Sequence, residues 1–204
     1  MGLKSQAEAV EGRPRPAVAS WLEPRPALSI EMIGCTGAEL SAAVLDVGGA
    51  ASNLVDYLID LGYEDLTVLD RSRDALDRAR QRLGSWAGQV QWIHSELIGS
   101  KLPPLRYDIW HDRSMFLRMT QPETRKRYVE LVWREVKPEG HVIIATPGPD
   151  GELEIEGEPV VRFSPDQLVD ELGPGFELLE HCFETLPGPN GMQPGLLYSL
   201  FRKE

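Results

Sequence analysis

Short apolar runs alternate along the chain with stretches whose apolar residues recur every three or four positions, and that alternation predicts a fold. Leu28, Met32 and Ile33 share one side of a short helix expected over residues 27–33, ended by Gly34 and Gly37. Ala43–Val47 is apolar except for Asp46, the pattern of a strand covered on both faces. The small residues Gly48, Gly49, Ala50 and Ala51 follow, and Ser52 is placed to cap a helix running to about Leu61, where Gly62 stops it. A second buried strand spans 66–70. Ser72 opens a helix to Leu83, and Gly84 closes it. Further strands are expected at Val90–His94, 107–111 and 141–146, with a helix over 122–136 that begins on Pro122, where a missing N–H costs nothing.

Strand and helix alternating in units this short predict an α/β fold, a mostly parallel sheet with helices on both faces. Beyond residue 147 the texture changes. Residues 147–160 are rich in Gly, Pro and Glu and read as a loop; a helix is expected over Pro165–Leu172. Two strands, 176–185 and 196–202, close the chain around Leu186-Pro187-Gly188-Pro189-Asn190-Gly191, so an antiparallel hairpin should finish the sheet. Residues 1–20 are polar and aperiodic; they are expected to be a flexible lead-in or a lid, leaving 21–204 as one domain.

Composition narrows the function. The 204 residues carry 21 basic and 32 acidic side chains, net −11, which disfavours nucleic-acid and anionic-membrane partners. Four histidines and two cysteines are too scattered for a structural zinc site, so no metal is expected. Cys35 and Cys182 read as reduced thiols. No apolar run is long enough to serve as a signal peptide or a span, so a cytoplasmic protein is expected, as a monomer or homodimer.

The candidate chemistry lies at the strand tips. In an open α/β sheet ligands bind outside the carboxyl ends of the strands, near the point where strand order reverses. The first strand ends at Asp46 before a small-residue bend, and the second ends at Asp70, placed to accept from ribose hydroxyls. A dinucleotide fingerprint needs a third glycine to seat a pyrophosphate, and this loop lacks it. An acid just before the glycines repels a pyrophosphate but accepts from an ammonium group. The combination fits S-adenosylmethionine.

At these residues the chain resembles the small bacterial class I S-adenosylmethionine-dependent methyltransferases. The resemblance rests on VLDVGGAASNLVD (44–56), LTVLDRSRDALDRARQRLG (66–84), VQWI (90–93), YDIWHDRSMF (107–116), YVELVWREVKPEGHVIIAT (128–146) and PVVRF (159–163), and covers roughly residues 20 to 204. It implies a Rossmann-like class I methyltransferase fold, with a seven-stranded sheet whose last strand is antiparallel. It also implies Asp46, Gly48, Gly49 and Ala50 around the methionyl part, Asp70 and Arg71 at the ribose, and Glu96 and Leu97 near the adenine. His111, Asp112 and Arg113 would face the sulfonium and the substrate. S-adenosyl-L-homocysteine would be the product.

The sequence departs from that family at Ala50, where a glycine is usual, and at Glu96, where an Asp is usual. Leu117 and Arg118 stand where a histidine commonly follows, Ile155-Glu156-Gly157 replaces a Cys-Ser-Gly stretch, and Gly195 stands where an aromatic often follows Gln193-Pro194. A methyl at position 50 either narrows the cofactor pocket or strains the backbone, depending on φ. Most of these losses fall on the acceptor side.

Transfer from a sulfonium is a direct in-line displacement in which the protein contributes orientation and electrostatics. Where the acceptor must lose a proton, His111 and Asp112 are the candidate bases; otherwise His111 lines the adenosine pocket and Asp112 holds Arg113 or a backbone N–H. Trp21, Arg113, Phe116, Arg118 and Arg162 are the candidates for contact with a small-molecule acceptor. The competing functions are a non-methylating reaction of the same cofactor, such as cyclisation or elimination, and a non-catalytic binding module.

Overall fold

A computed structural model describes residues 25–188 and 191–204. Its centre is a seven-stranded sheet in the order β3-β2-β1-β4-β5-β9-β8. The strands are β1 (Ala43–Val47), β2 (Asp65–Asp70), β3 (Val90–His94), β4 (Tyr107–Asp112), β5 (Val136–Pro147), β8 (Phe176–Gly188) and β9 (Gly191–Lys203). The ladders from β3 to β5 are parallel, and β9 runs antiparallel to both β5 and β8. The expected class I fold is therefore present, with its one reversed strand formed by the C-terminus.

Helices α1 (Ala27–Cys35), α2 (Leu54–Leu61), α3 (Arg73–Leu83), α4 (Pro122–Glu135) and α5 (Pro165–Leu172) cover the sheet. One face packs Met32 and Ile33 of α1, Leu54 and Leu58 of α2 and Leu76 of α3 on Val44, Val68, Ile109 and Ile143. The other packs Tyr128 and Val132 of α4 and Leu168 of α5 on Leu45, Trp110, Val142 and Phe201. With both faces covered, successive residues of each central strand are buried, which is why these strands read as unbroken apolar runs.

Local chemistry fixes the ends. Ser72 caps α3 by accepting from Ala75 N–H, and Ser164 with Gln167 forms a complete capping box on α5. Lys203, at the end of β9, donates to Trp133 O and Val136 O at 2.6 and 2.8 Å, satisfying carbonyls at the end of α4. Asp108 accepts from Ala43 N–H and from Lys137 Nζ, joining β1, β4 and β5 at the opposite end of the sheet from the site.

Several boundaries differ from expectation. Ser52 does not cap α2: it accepts from Leu54 N–H, after a single tight turn over Gly49–Ala51 that delays the helix to Leu54. Strand β5 starts at Val136, because Lys137 to Gly140 continue the strand through a bulge instead of turning. The expected 147–160 loop contains a small hairpin of β6 (Glu154–Ile155) and β7 (Glu158–Pro159), whose two central residues, Glu156 and Gly157, both have positive φ. Strands β8 and β9 run to Gly188 and from Gly191, so the terminal hairpin is longer than expected. Cys35 and Cys182 are free thiols; burial, then a hydrogen bond to Glu180, pushes Cys35 up to about 11. The segment 1–20 and Trp21 lie outside the described residues.

Candidate active site

Strand order reverses between β1 and β4, and the candidate residues sit where those two strands end. Asp46 and His111 are register partners on this ladder. Paired residues of a parallel sheet point to one face, so their side chains meet: His111 Nδ1 lies 2.8 Å from Asp46 Oδ1. The other ring nitrogen, Nε2, lies 2.9 Å from Ser29 Oγ on α1. All three side chains are buried, Ser29 completely. Asp46 Oδ2 is buried as well and has no hydrogen-bond partner among the described residues.

That bare oxygen lies against the glycine bend. A Cβ on Gly49 would collide with Asp46 Oδ2, so only glycine lets the carboxylate come this close. Gly48 has φ +68°, a left-handed conformation that favours glycine, and its N–H donates to Leu69 O at 2.7 Å. A side chain at Gly48 would also strike Ser114 and Met115, which lean over the bend from the end of β4. Ala50 follows with ordinary negative φ and is buried among the apolar residues of the α2 side. The third glycine of the usual pattern is therefore not needed to make this turn, and the methyl causes no backbone strain.

Asp70, at the tip of β2, is tied to the same bend. Its Oδ2 accepts from Ala50 N–H at 3.2 Å and its Oδ1 from Ser72 N–H at 2.8 Å. Each carboxylate oxygen retains a further lone pair. Arg71 beside it is exposed, and its carbonyl contacts His94 Nε2. After β3, Glu96 is exposed, whereas Leu97 turns into the core under α4 and is 1% exposed. A contact of residue 97 with an adenine would therefore involve its backbone.

Three expected roles change once contacts are known. The Asp112 carboxylate is wholly buried and already filled. It accepts from Ser114 N–H and Met115 N–H through Oδ1, from Phe116 N–H through Oδ2, and from the Tyr128 hydroxyl. Burial nonetheless pushes it above the usual carboxylate range, against these donors. It builds the turn after β4, which corrects the expectation of a reacting base. Phe116 is likewise a core residue, its ring 4.9 Å from that of Tyr128 and 5.5 Å from that of Phe163, and offers no surface to an acceptor. His111 has both ring nitrogens engaged, so it too lacks a free nitrogen for a proton from an acceptor.

The arginines do not converge. Arg113 is half-buried beside the turn. Arg118 donates to Glu156 Oε2 at 2.9 Å and so holds the β6–β7 hairpin. Arg162 borders a cleft of about 670 Å3 between α4 and α5, with Lys126, Glu130 and Asp170, and none of the strand-tip residues lines it. Ser29, Ser114, Met115 and Tyr128 were not anticipated. For Ser29 a signal existed: with Met32 and Ile33 it makes the i, i+3, i+4 stripe that α1 buries, and a hydroxyl in that stripe calls for a buried partner.

Residues 44–140 match the family model described as a methyltransferase domain. Over this stretch, from β1 into β5, the chain resembles that family. No curated protein sequence matches it. Among solved structures, a Burkholderia thailandensis 1,6-didemethyltoxoflavin-N1-methyltransferase with bound 1,6-didemethyltoxoflavin and S-adenosylhomocysteine is 18% identical. That match covers 87% of this chain and 77% of the other, with a TM-score of 0.68. A SAM-dependent methyltransferase from Methanosarcina mazei is 16% identical over 89% of this chain and 99% of its own, TM-score 0.70. The N-methyltransferase NodS of Bradyrhizobium japonicum, in complex with S-adenosyl-L-homocysteine, is 14% identical over 98% and 97%, TM-score 0.67. At these identities the chain shares their fold. Among the described residues no helix is long and apolar enough to cross a membrane.

Proposed function

We infer that the protein is an S-adenosylmethionine-dependent methyltransferase acting on a small-molecule acceptor. One observation carries the reading: Asp46 Oδ2 is a buried carboxylate oxygen with no partner among the described residues, set against Gly49, where a Cβ would collide with it. A buried carboxylate oxygen without a donor is costly, and an ammonium group at that place would satisfy it. The methionyl end of S-adenosylmethionine has that group, so the residues fit the cofactor.

Asp46 would take the ammonium, the Gly48–Gly49 backbone would lie along the methionyl chain, and Asp70 would accept from the ribose hydroxyls. The bound cofactor supplies an electrophilic methyl on a sulfonium. The contribution of the chain is geometric: β1, β2 and β4 fix three groups on one rigid edge, and the Asp112-centred turn sets Ser114 and Met115 over the bend. Holding the two reactants in line supplies much of the acceleration of such a displacement. With Asp112 filled and His111 engaged on both sides, neither residue serves as a direct base in this arrangement. The Burkholderia relative, whose structure holds 1,6-didemethyltoxoflavin and S-adenosylhomocysteine together, supports a small-molecule acceptor.

The test is turnover with S-adenosylmethionine and a panel of small hydroxyl, amine and thiol acceptors, following S-adenosylhomocysteine. Its acceptor-dependent release is expected. Loss of S-adenosylmethionine without that by-product would instead indicate cyclisation or elimination.

A further inference from the structure

Ser29, His111 and Asp46 come from three separate elements and form one hydrogen-bonded row at 2.9 and 2.8 Å. Ionised Asp46 can only accept, so His111 Nδ1 carries the proton shared with Oδ1. In the neutral ring Nε2 is then an acceptor, and the Ser29 hydroxyl is its donor. The row ends at Asp46 Oδ2, buried against the glycine bend and unpaired among the described residues.

We propose that Ser29 is a positioning residue for the methyl donor: it fixes the His111 ring, the ring fixes the Asp46 carboxylate, and the carboxylate presents its free oxygen to the ammonium. This rests on the cofactor reading above. Ser29 lies 82 positions from His111 in sequence, and the packing of α1 against α2, β5 and β9 brings the two together. The helix that precedes the first strand is thereby part of the cofactor site without touching the cofactor.

Because the row ends at the ammonium, its disruption should weaken only ligands that have one. In Ser29→Ala the buried Nε2 loses its donor, and the Kd for S-adenosylhomocysteine, measured by calorimetry, should rise about tenfold. The Kd for adenosine, which lacks the amino-acid end, should stay within about twofold. Ser29→Cys, with a weaker donor of similar size, should recover part of the loss. Equal weakening of both ligands, or of neither, would overturn the proposal. The apoprotein gives a second reading that needs no ligand. Nitrogen-15 spectra should show His111 protonated at Nδ1, with an Nε2 resonance that moves in Ser29→Ala. An Nε2-protonated ring, or an unmoved resonance, would contradict the assignment of Ser29. If the wild-type protein bound no S-adenosylhomocysteine while these spectra came out as expected, the cofactor reading would fail and take the positioning role with it, leaving the hydrogen-bonded row intact.

Discussion

His111 and Asp46 face each other across the β1–β4 ladder with Nδ1 and Oδ1 2.8 Å apart, and the second Asp46 oxygen has no partner among the described residues. Asp46→Asn keeps the shape of the side chain and removes its charge. Hydrogen bonds to charged groups contribute about 1.5–3 kcal/mol, so the variant should bind S-adenosylhomocysteine roughly ten- to a hundredfold more weakly by calorimetry. Unchanged affinity would mean that this oxygen does not meet the ligand.

Gly49→Ala tests the bend by steric means alone, because φ at Gly49 is not positive. The new methyl collides with Asp46 Oδ2 and forces the carboxylate or the loop aside. Overpacking of this kind costs about 1–3 kcal/mol. Urea unfolding should show a loss in that range, and ligand affinity should fall with it. A variant as stable and as tight-binding as the wild type would show that the carboxylate does not need this approach.

Asp112→Ala separates a turn-builder from a base. The substitution removes the acceptor from the half-buried Ser114 and Met115 N–H groups and from the buried Phe116 N–H and Tyr128 hydroxyl. A stability loss of about 2–4 kcal/mol is expected from several buried donors left unpaired. Melting and urea curves should both move. A stable variant that binds cofactor normally but has lost turnover would restore Asp112 to the chemistry.

His141 gives the pH dependence of stability. Burial, then the nearby Arg202, holds its imidazole below the ordinary value, with Glu139 acting in the other direction. In the unfolded chain it titrates near its ordinary value of about 6.5. Below that pH the unfolded state takes up a proton that the folded state refuses, so stability falls as pH falls and is recovered as pH rises through the same range. Unfolding free energies measured between pH 7.5 and pH 5 should decline on this account, and His141→Gln should flatten the decline. An identical slope in that variant would assign the effect elsewhere.

The central strands were legible because both of their faces are covered, which leaves a continuous apolar signal. Asp46 and Asp70 stood out as acids interrupting or ending such runs. The contents of the turns were less legible. Whether Asp112 reacts or caps a turn depends on three N–H groups that follow it and on Tyr128, which arrives from α4 sixteen residues later. Phe116 and Leu97 have residue types that suit either a pocket or a core, and only their packing decides. Strand β5 hid its start because Pro138 and Gly140 look like a turn, while the structure carries them through a bulge. Ser29 was legible in principle from the stripe it shares with Met32 and Ile33, but its partner is a histidine from a distant strand.

The most direct measurement is a crystal structure of the protein grown with S-adenosylhomocysteine. The ligand's ammonium should lie within hydrogen-bond distance of Asp46 Oδ2, with its ribose hydroxyls on Asp70 and its methionyl chain along Gly48 and Gly49. A nucleoside bound elsewhere, or one seated at these strand tips with Asp46 Oδ2 still unpaired, would contradict the account.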